Sequence, residues 1–133
     1  MAEEPRRVVI VEDDASLRRA MQRLLAASGL MVSSHESAES CLVGQDMRSA
    51  DGFVIDLHLP GVSGLELVSR LPQGLSRRCV LITAYDDAAT RELAGQFETM
   101  YLVKPFEGDV LLQAVAQVLD RPLLRLPPTS LPH

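Results

Sequence analysis

The sequence holds only two cysteines, Cys41 and Cys79. Two cannot build a disulfide framework, and no CxxC pair or cysteine–histidine cluster offers a zinc site. Long apolar runs are missing as well. The segment from Met1 to Arg7 is charged, and the apolar run behind it stops at Val11. That is too short for a signal peptide, and no stretch is fit to span a membrane. Excess positive charge is absent: 13 basic residues against 18 acidic ones give a net charge of −5. A domain-wide nucleic-acid footprint would be basic. These absences predict a cytoplasmic single domain with reduced thiols.

What is present fits that expectation. The chain has 133 residues, 47% apolar and 23% charged. This length gives one domain, able to bury a core without metal or disulfide staples. Short apolar runs alternate with amphipathic stretches. Val8 to Val11 is β-branched and continuous, the pattern of a strand buried on both faces. A helical pattern follows, with Leu17, Ala20, Met21, Leu24 and Leu25 on one face, and Ser28-Gly29 closes it. Leu30 to Ser34 reads as a weaker edge strand. Ser37 caps a short helix carrying Ala38, Cys41 and Leu42. Phe53 to Ile55 is a third strand with Asp56 at its end, followed by the turn Leu59-Pro60-Gly61. Leu65, Leu67, Val68 and Leu71 make a helix that Pro72 and Gly74 break. Cys79 to Thr83 is a fourth strand, and Asp86 to Gly95 a helix with few large apolar residues. Tyr101 to Val103 is a fifth strand, closed by Lys104-Pro105. Val110, Leu111, Ala114, Val115, Val118 and Leu119 build a last amphipathic helix.

Five such βα units predict an α/β, flavodoxin-like, doubly wound fold, with a five-stranded parallel sheet in the order 2-1-3-4-5. Residues 6–120 make the folded unit. Residues 121–133 hold four prolines with no period, and read as a tail or linker stump. In this strand order, ligands bind past the carboxyl ends of strands 1 and 3.

The strand ends carry chemistry. Glu12 and Asp13 follow strand 1, Asp56 follows strand 3, Thr83 ends strand 4, and Lys104 follows strand 5. Each alone is ordinary: an Asp at a strand end is commonly a turn former or helix cap, and Glu-Asp-Asp before a helix suits its dipole. Together they place three carboxylates, a hydroxyl and an ammonium on one rim. Three carboxylates raise one another's pKa unless a cation neutralises them. A hard divalent ion such as Mg²⁺, which takes oxygen ligands, suits that demand. Lys104 supplies a point charge and Thr83 a donor for phosphoryl oxygens.

Four motifs carry a family likeness. Val9-Ile10-Val11-Glu12-Asp13-Asp14, Val54-Ile55-Asp56-Leu57-His58-Leu59-Pro60-Gly61-Val62-Ser63-Gly64, Leu81-Ile82-Thr83-Ala84 and Tyr101-Leu102-Val103-Lys104-Pro105-Phe106 resemble the receiver domain of two-component response regulators. The resemblance covers about residues 6 to 120. It implies a signalling switch in which Asp56 accepts a phosphoryl group from a histidine kinase or phosphotransfer protein. It implies Mg²⁺ held by Asp13, Asp56 and the backbone carbonyl of His58, with Glu12 acting through a metal-bound water. Lys104 would pair with the acyl phosphate, Thr83 would move to hydrogen-bond it, and Tyr101 would swing inward behind Thr83. The Lys104–Pro105 bond is expected to be cis. Any enzymatic activity would be self-phosphorylation and autodephosphorylation only.

Two other classes fit less well. An aspartyl-nucleophile Mg²⁺-dependent phosphatase usually has a second acid two residues past its nucleophile, where this chain has His58. A flavin-binding protein needs a phosphate loop after strand 1, where Glu12-Asp13-Asp14 would repel phosphate. His58 and Tyr85, two residues past Asp56 and Thr83, should flank the path of an attacking water. Gly95 is expected to cap the fourth helix early, leaving Phe97 to fill the gap. The fourth helix, fifth strand and last helix form the expected face for an effector domain or downstream protein, with weak phosphorylation-linked dimerisation. No direct nucleic-acid or membrane contact is expected of this domain.

Overall fold

The computed structural model describes residues 4–44, 46–72 and 74–122. Of the expected proline-rich segment, residues 123–133 lie outside the described residues. Five strands, β1 (Arg7–Val11), β2 (Met31–His35), β3 (Gly52–Asp56), β4 (Cys79–Thr83) and β5 (Met100–Val103), form one sheet in the order 2-1-3-4-5. Every neighbouring pair is parallel. Five helices connect and flank them: α1 (Ala15–Ala27), α2 (Ala38–Val43), α3 (Gly64–Ser69), α4 (Ala88–Phe97) and α5 (Gly108–Leu119). A single helical turn at Asp46–Ser49 precedes β3, and a 3-10 turn at Leu75–Arg78 precedes β4.

Side-chain alternation divides the core between the two faces of the sheet. Val9, Val11, Phe53, Ile55, Cys79 and Leu81 point to one face, where Ala38, Cys41, Leu67 and Val68 from α2 and α3 cover them. Val8, Ile10, Val54, Val80 and Ile82 point to the other, against Met21 and Leu25 of α1 and Leu111, Val115 and Val118 of α5. Both faces being covered explains why these strands read as continuous apolar runs. Each fully buried large side chain contributes about 1.5–3 kcal/mol. Both cysteines are buried here, and burial pushes the Cys79 thiol up. Cys79 is a packing residue rather than a redox group.

Four helices begin on a polar side chain that accepts from a free backbone N–H. Asp14 serves α1, Ser37 serves α2, Ser63 serves α3 and Asp87 serves α4, each worth roughly 1 kcal/mol. These caps fix where each chain segment leaves the sheet's carboxyl edge.

Two helix ends differ from the sequence reading. α3 stops at Ser69 rather than running to Leu71, because Pro72 disfavours helical backbone at the residue before it. In α4, Gly95 lies inside the helix and does not cap it. The cap falls on Glu98, in the left-handed region at φ 60°. The N–H of Thr99 reaches the carbonyl of Ala94 at 2.9 Å, and that of Glu98 reaches Gly95 at 3.2 Å. Glu98 is held there by Arg121, which donates to its carbonyl at 2.8 Å, and by Arg77, 3.5 Å from its carboxylate. Phe97 is the last residue of α4 and is half-buried against the core, so it packs from the helix itself and there is no gap beyond a shortened helix for it to fill. α4 buries only Thr90 and Ala94 fully, so apolar packing holds it less firmly than α1 or α5.

Candidate functional site

Four of the five strands deliver a reactive side chain to the same edge. β1 runs straight into Glu12, which is wholly buried. Its Oε2 accepts the N–H of Asp14 at 3.0 Å, and its backbone carbonyl accepts Arg18 Nη1 at 2.8 Å. Asp13 follows in the bend before α1 and is exposed. Asp56 is the last residue of β3 and is 4% exposed. Its Oδ1 accepts the backbone N–H of His58 at 3.0 Å, and its Oδ2 lies 3.4 Å from Lys104 Nζ. Thr83 ends β4, fully buried. Lys104 sits just past β5, its N–H on the Thr83 carbonyl at 2.7 Å. The Lys104–Pro105 bond is cis, as the resemblance implies.

Glycine is required at position 64. A Cβ there would stand 2.0 Å from the carbonyl oxygen of Asp56. The start of α3 therefore packs directly on the backbone of the residue that carries the central carboxylate.

Carboxylate oxygens of Glu12, Asp13 and Asp56 all lie within 4.8 Å of one another. One ammonium faces this set: Lys104 Nζ is 3.0 Å from Glu12 Oε1 and 3.4 Å from Asp56 Oδ2. Burial pushes Glu12 up to about 7, outweighing the help it receives from the Asp14 N–H and Lys104. Burial also disfavours the charge of Asp13, but its contacts with Glu12 and Asp56 prevail and hold it below the ordinary value. Burial disfavours the Lys104 charge too, and here Glu12 and Asp56 prevail, so it stays protonated above the usual lysine range. The two ends of the Lys104–Glu12 contact thus point opposite ways. The buried Glu12 carboxylate governs the pocket's protonation, because it has no solvent to stabilise its charge while the Lys104 ammonium is partly solvated.

This chemistry fits a divalent cation. Glu12 Oε1 is wholly buried, and the cation that faces it is the Lys104 ammonium at 3.0 Å, which Asp56 shares. Three carboxylates within 4.8 Å of one another carry more negative charge than a shared ammonium offsets, and they offer the hard oxygen donors that Mg²⁺ takes.

The structure brings every sequence-predicted site residue to one edge, Glu12, Asp13, Asp56, His58, Thr83 and Lys104 together. It also adds contacts that the sequence does not announce. His58 is exposed, and its Nε2 lies 3.2 Å from Thr83 Oγ1. The rings of His58 and Tyr85 meet edge to face, with centroids 5.2 Å apart. Tyr101 is turned toward the surface, its hydroxyl donating to Asp86 Oδ1 at 3.0 Å, where Arg91 also binds. Glu39 Oε2 accepts the N–H of Val62 at 3.1 Å and so braces the turn after Asp56. The His58, Tyr101 and Glu39 pairings span 15 to 27 residues, and no local pattern encodes them.

Comparison with known proteins agrees with this arrangement. The family model for the response regulator receiver domain matches residues 8–116. The DNA-binding transcriptional regulator NtrC of Salmonella typhimurium is 34% identical over 117 residues, covering 85% of this chain and 24% of that protein. The transcriptional regulatory protein FixJ of Azorhizobium caulinodans is 31% identical over 116 residues, covering 86% of this chain and 55% of that one. A response regulator receiver protein from Burkholderia phymatum superposes with a TM-score of 0.71 at 35% identity, covering 86% of this chain and 94% of that chain. The chain thus spans about a quarter of NtrC and about half of FixJ.

Proposed function

Because the chain belongs to the response regulator receiver domain family and is a phosphorylation switch, we propose that Asp56 is its phosphoryl acceptor, served by a histidine kinase or phosphotransfer protein. The observation that carries this reading is the place of Asp56. It is a buried carboxylate at the end of β3, with one oxygen on the His58 N–H and the other facing Lys104.

In this reading the Asp56 carboxylate attacks the phosphorus of a phosphohistidine. A P–O bond forms as the P–N bond breaks, and the imidazole leaves. Carboxylates are weak nucleophiles toward a phosphoryl group unless its negative charge is screened. Lys104 supplies a fixed positive charge on the side where that charge arrives. Mg²⁺ would be held by Asp13, Asp56 and the His58 carbonyl, with Glu12 reached through a water. Bound there, it would neutralise charge on both the carboxylates and the phosphoryl oxygens. Thr83, at the end of the neighbouring strand β4, would turn its hydroxyl toward the product, and Tyr101 would follow it. Small phosphodonors would serve the same chemistry in self-phosphorylation; in autodephosphorylation water would attack the phosphorus, releasing inorganic phosphate and freeing the Asp56 carboxylate. The two-residue offset from Asp56 is occupied by His58, not by a carboxylic acid, which disfavours a phosphatase of related architecture.

Residues 6–120 form the receiver unit in this proposal. The face made by α4, β5 and α5 presents the phosphorylation state to an effector domain or downstream protein. We place this work in the cytoplasm. No helix among the described residues is long and apolar enough to cross a membrane.

Incubation with acetyl phosphate and Mg²⁺, followed by trapping and mapping of the adduct, tests the acceptor. Label should sit on Asp56 alone and disappear in Asp56→Asn. Label of comparable stoichiometry in that variant overturns the assignment.

A further inference from the structure

The hydroxyl of Thr83 is fully engaged in this structure. It accepts the N–H of Tyr85 at 3.0 Å, and the Tyr85 carbonyl lies 3.2 Å away, within reach of its proton. The third contact is His58 Nε2, at 3.2 Å. A threonine hydroxyl has one proton to give and two lone pairs to offer. With the His58 proton on Nε2, all three contacts are hydrogen bonds and the hydroxyl has no capacity left. The Tyr85 ring supports the imidazole edge to face. The backbone N–H of the same histidine is bonded to Asp56 Oδ1. His58 therefore touches both the acceptor carboxylate and the hydroxyl that must turn toward it.

We propose that the His58 side chain is a positioning residue that holds Thr83 in the resting arrangement, and so acts as a catch that the phosphoryl group must release. The inference rests on the reading of Asp56 as acceptor and Thr83 as the responding hydroxyl. It differs from a ligand role for His58, which would use the backbone carbonyl and leave the imidazole without a task. A contact made only in the resting state shifts the switch by its own net worth. For a single hydrogen bond this is about 3- to 10-fold in the equilibrium.

The test measures the affinity of the domain for the phosphoryl mimic beryllofluoride in saturating Mg²⁺ by titration calorimetry. His58→Leu removes the catch and should bind about 3- to 10-fold more tightly than wild type. His58→Gln can place an amide near the same point and should return the affinity to within about 2-fold of wild type. In a Thr83→Val background, where there is no hydroxyl to hold, His58→Leu should change nothing. Unchanged or weaker binding by His58→Leu overturns the proposal. So does the same tightening in the Thr83→Val background, which would show that the histidine acts on something else. Wild-type protein that fails to bind beryllofluoride, or binds it equally well as Asp56→Asn, instead overturns the acceptor reading and takes the catch with it.

Discussion

Replacing Glu12 by glutamine should make the metal-free domain more stable at neutral pH, although it removes a partner of Lys104. The carboxyl is wholly buried and sits with Asp13 and Asp56. Burial raises its pKa from 4.5 to about 7. Between those two values the folded protein keeps a proton that the unfolded chain has released. Folding then takes up a proton, and stability falls as pH rises through that window. Each factor of ten in the proton equilibrium is worth about 1.4 kcal/mol, so the ceiling is about 3 kcal/mol above pH 7. Lys104 holds its proton more tightly when folded, so its contribution is lost only above the ordinary lysine range. Asp13 is shifted downward, so its contribution is gained below about pH 4 and is complete above it. Neither disturbs the window. Other groups titrate within it, so the quantity to measure is the difference between wild type and Glu12→Gln in urea unfolding with EDTA. At about pH 3 the Glu12 side chain is almost fully protonated in both folded and unfolded chains, and the two proteins should be alike. At pH 8 the variant should be more stable by up to about 3 kcal/mol. Saturating Mg²⁺ should close the gap by stabilising the wild type preferentially. A gap that does not change with pH, or a wild type more stable than the variant at pH 8 in EDTA, would refute the reasoning.

Three further outcomes follow from particular contacts. Mg²⁺ should raise the melting temperature of wild type, and the gain should vanish in Asp13→Asn, as checked by calorimetry with and without EDTA. Gly64→Ala forces a methyl group against the Asp56 carbonyl and should cost about 1–3 kcal/mol of stability, with a parallel loss of phosphorylation rate from acetyl phosphate. Glu98→Gly removes a side chain from a left-handed position and should stabilise the fold by about 1 kcal/mol in urea unfolding, since the 3.5 Å contact it forfeits with the half-buried Arg77 is made by an exposed carboxylate and is worth little.

The sheet was legible in the sequence because both of its faces are covered. Buried parallel strands must be continuous apolar runs, and the runs at Val8, Phe53 and Cys79 could be little else. The carboxyl-edge residues were legible for a related reason: strand ends in this topology converge on one crevice, so Glu12, Asp56, Thr83 and Lys104 could be brought together on paper. Helix ends were less so. The glycine at position 95 is a permissive C-cap, but arginines 23 residues downstream and 21 upstream of Glu98 decide where α4 stops. The turn at Asp46–Ser49 and the 3-10 turn at Leu75–Arg78 are too short to leave a period. The His58–Thr83 and Tyr101–Asp86 pairings depend on side-chain direction across separate loops, which spacing does not encode.

The chain has two tyrosines and no tryptophan. Tyr85 lends its backbone to Thr83 and its ring to His58, while Tyr101 donates its hydroxyl to Asp86. Tyrosine emission from the domain therefore arises at two rings, one set against His58 and one held on Asp86, with no indole to mask it. A phenol hydrogen-bonded to a carboxylate emits weakly, and it brightens when that bond is broken. Release of Tyr101 from Asp86 should thus be visible as a rise in intrinsic fluorescence. The unlabelled protein would report its own state in a cuvette, and Tyr85→Phe and Tyr101→Phe would assign the signal to one ring or the other.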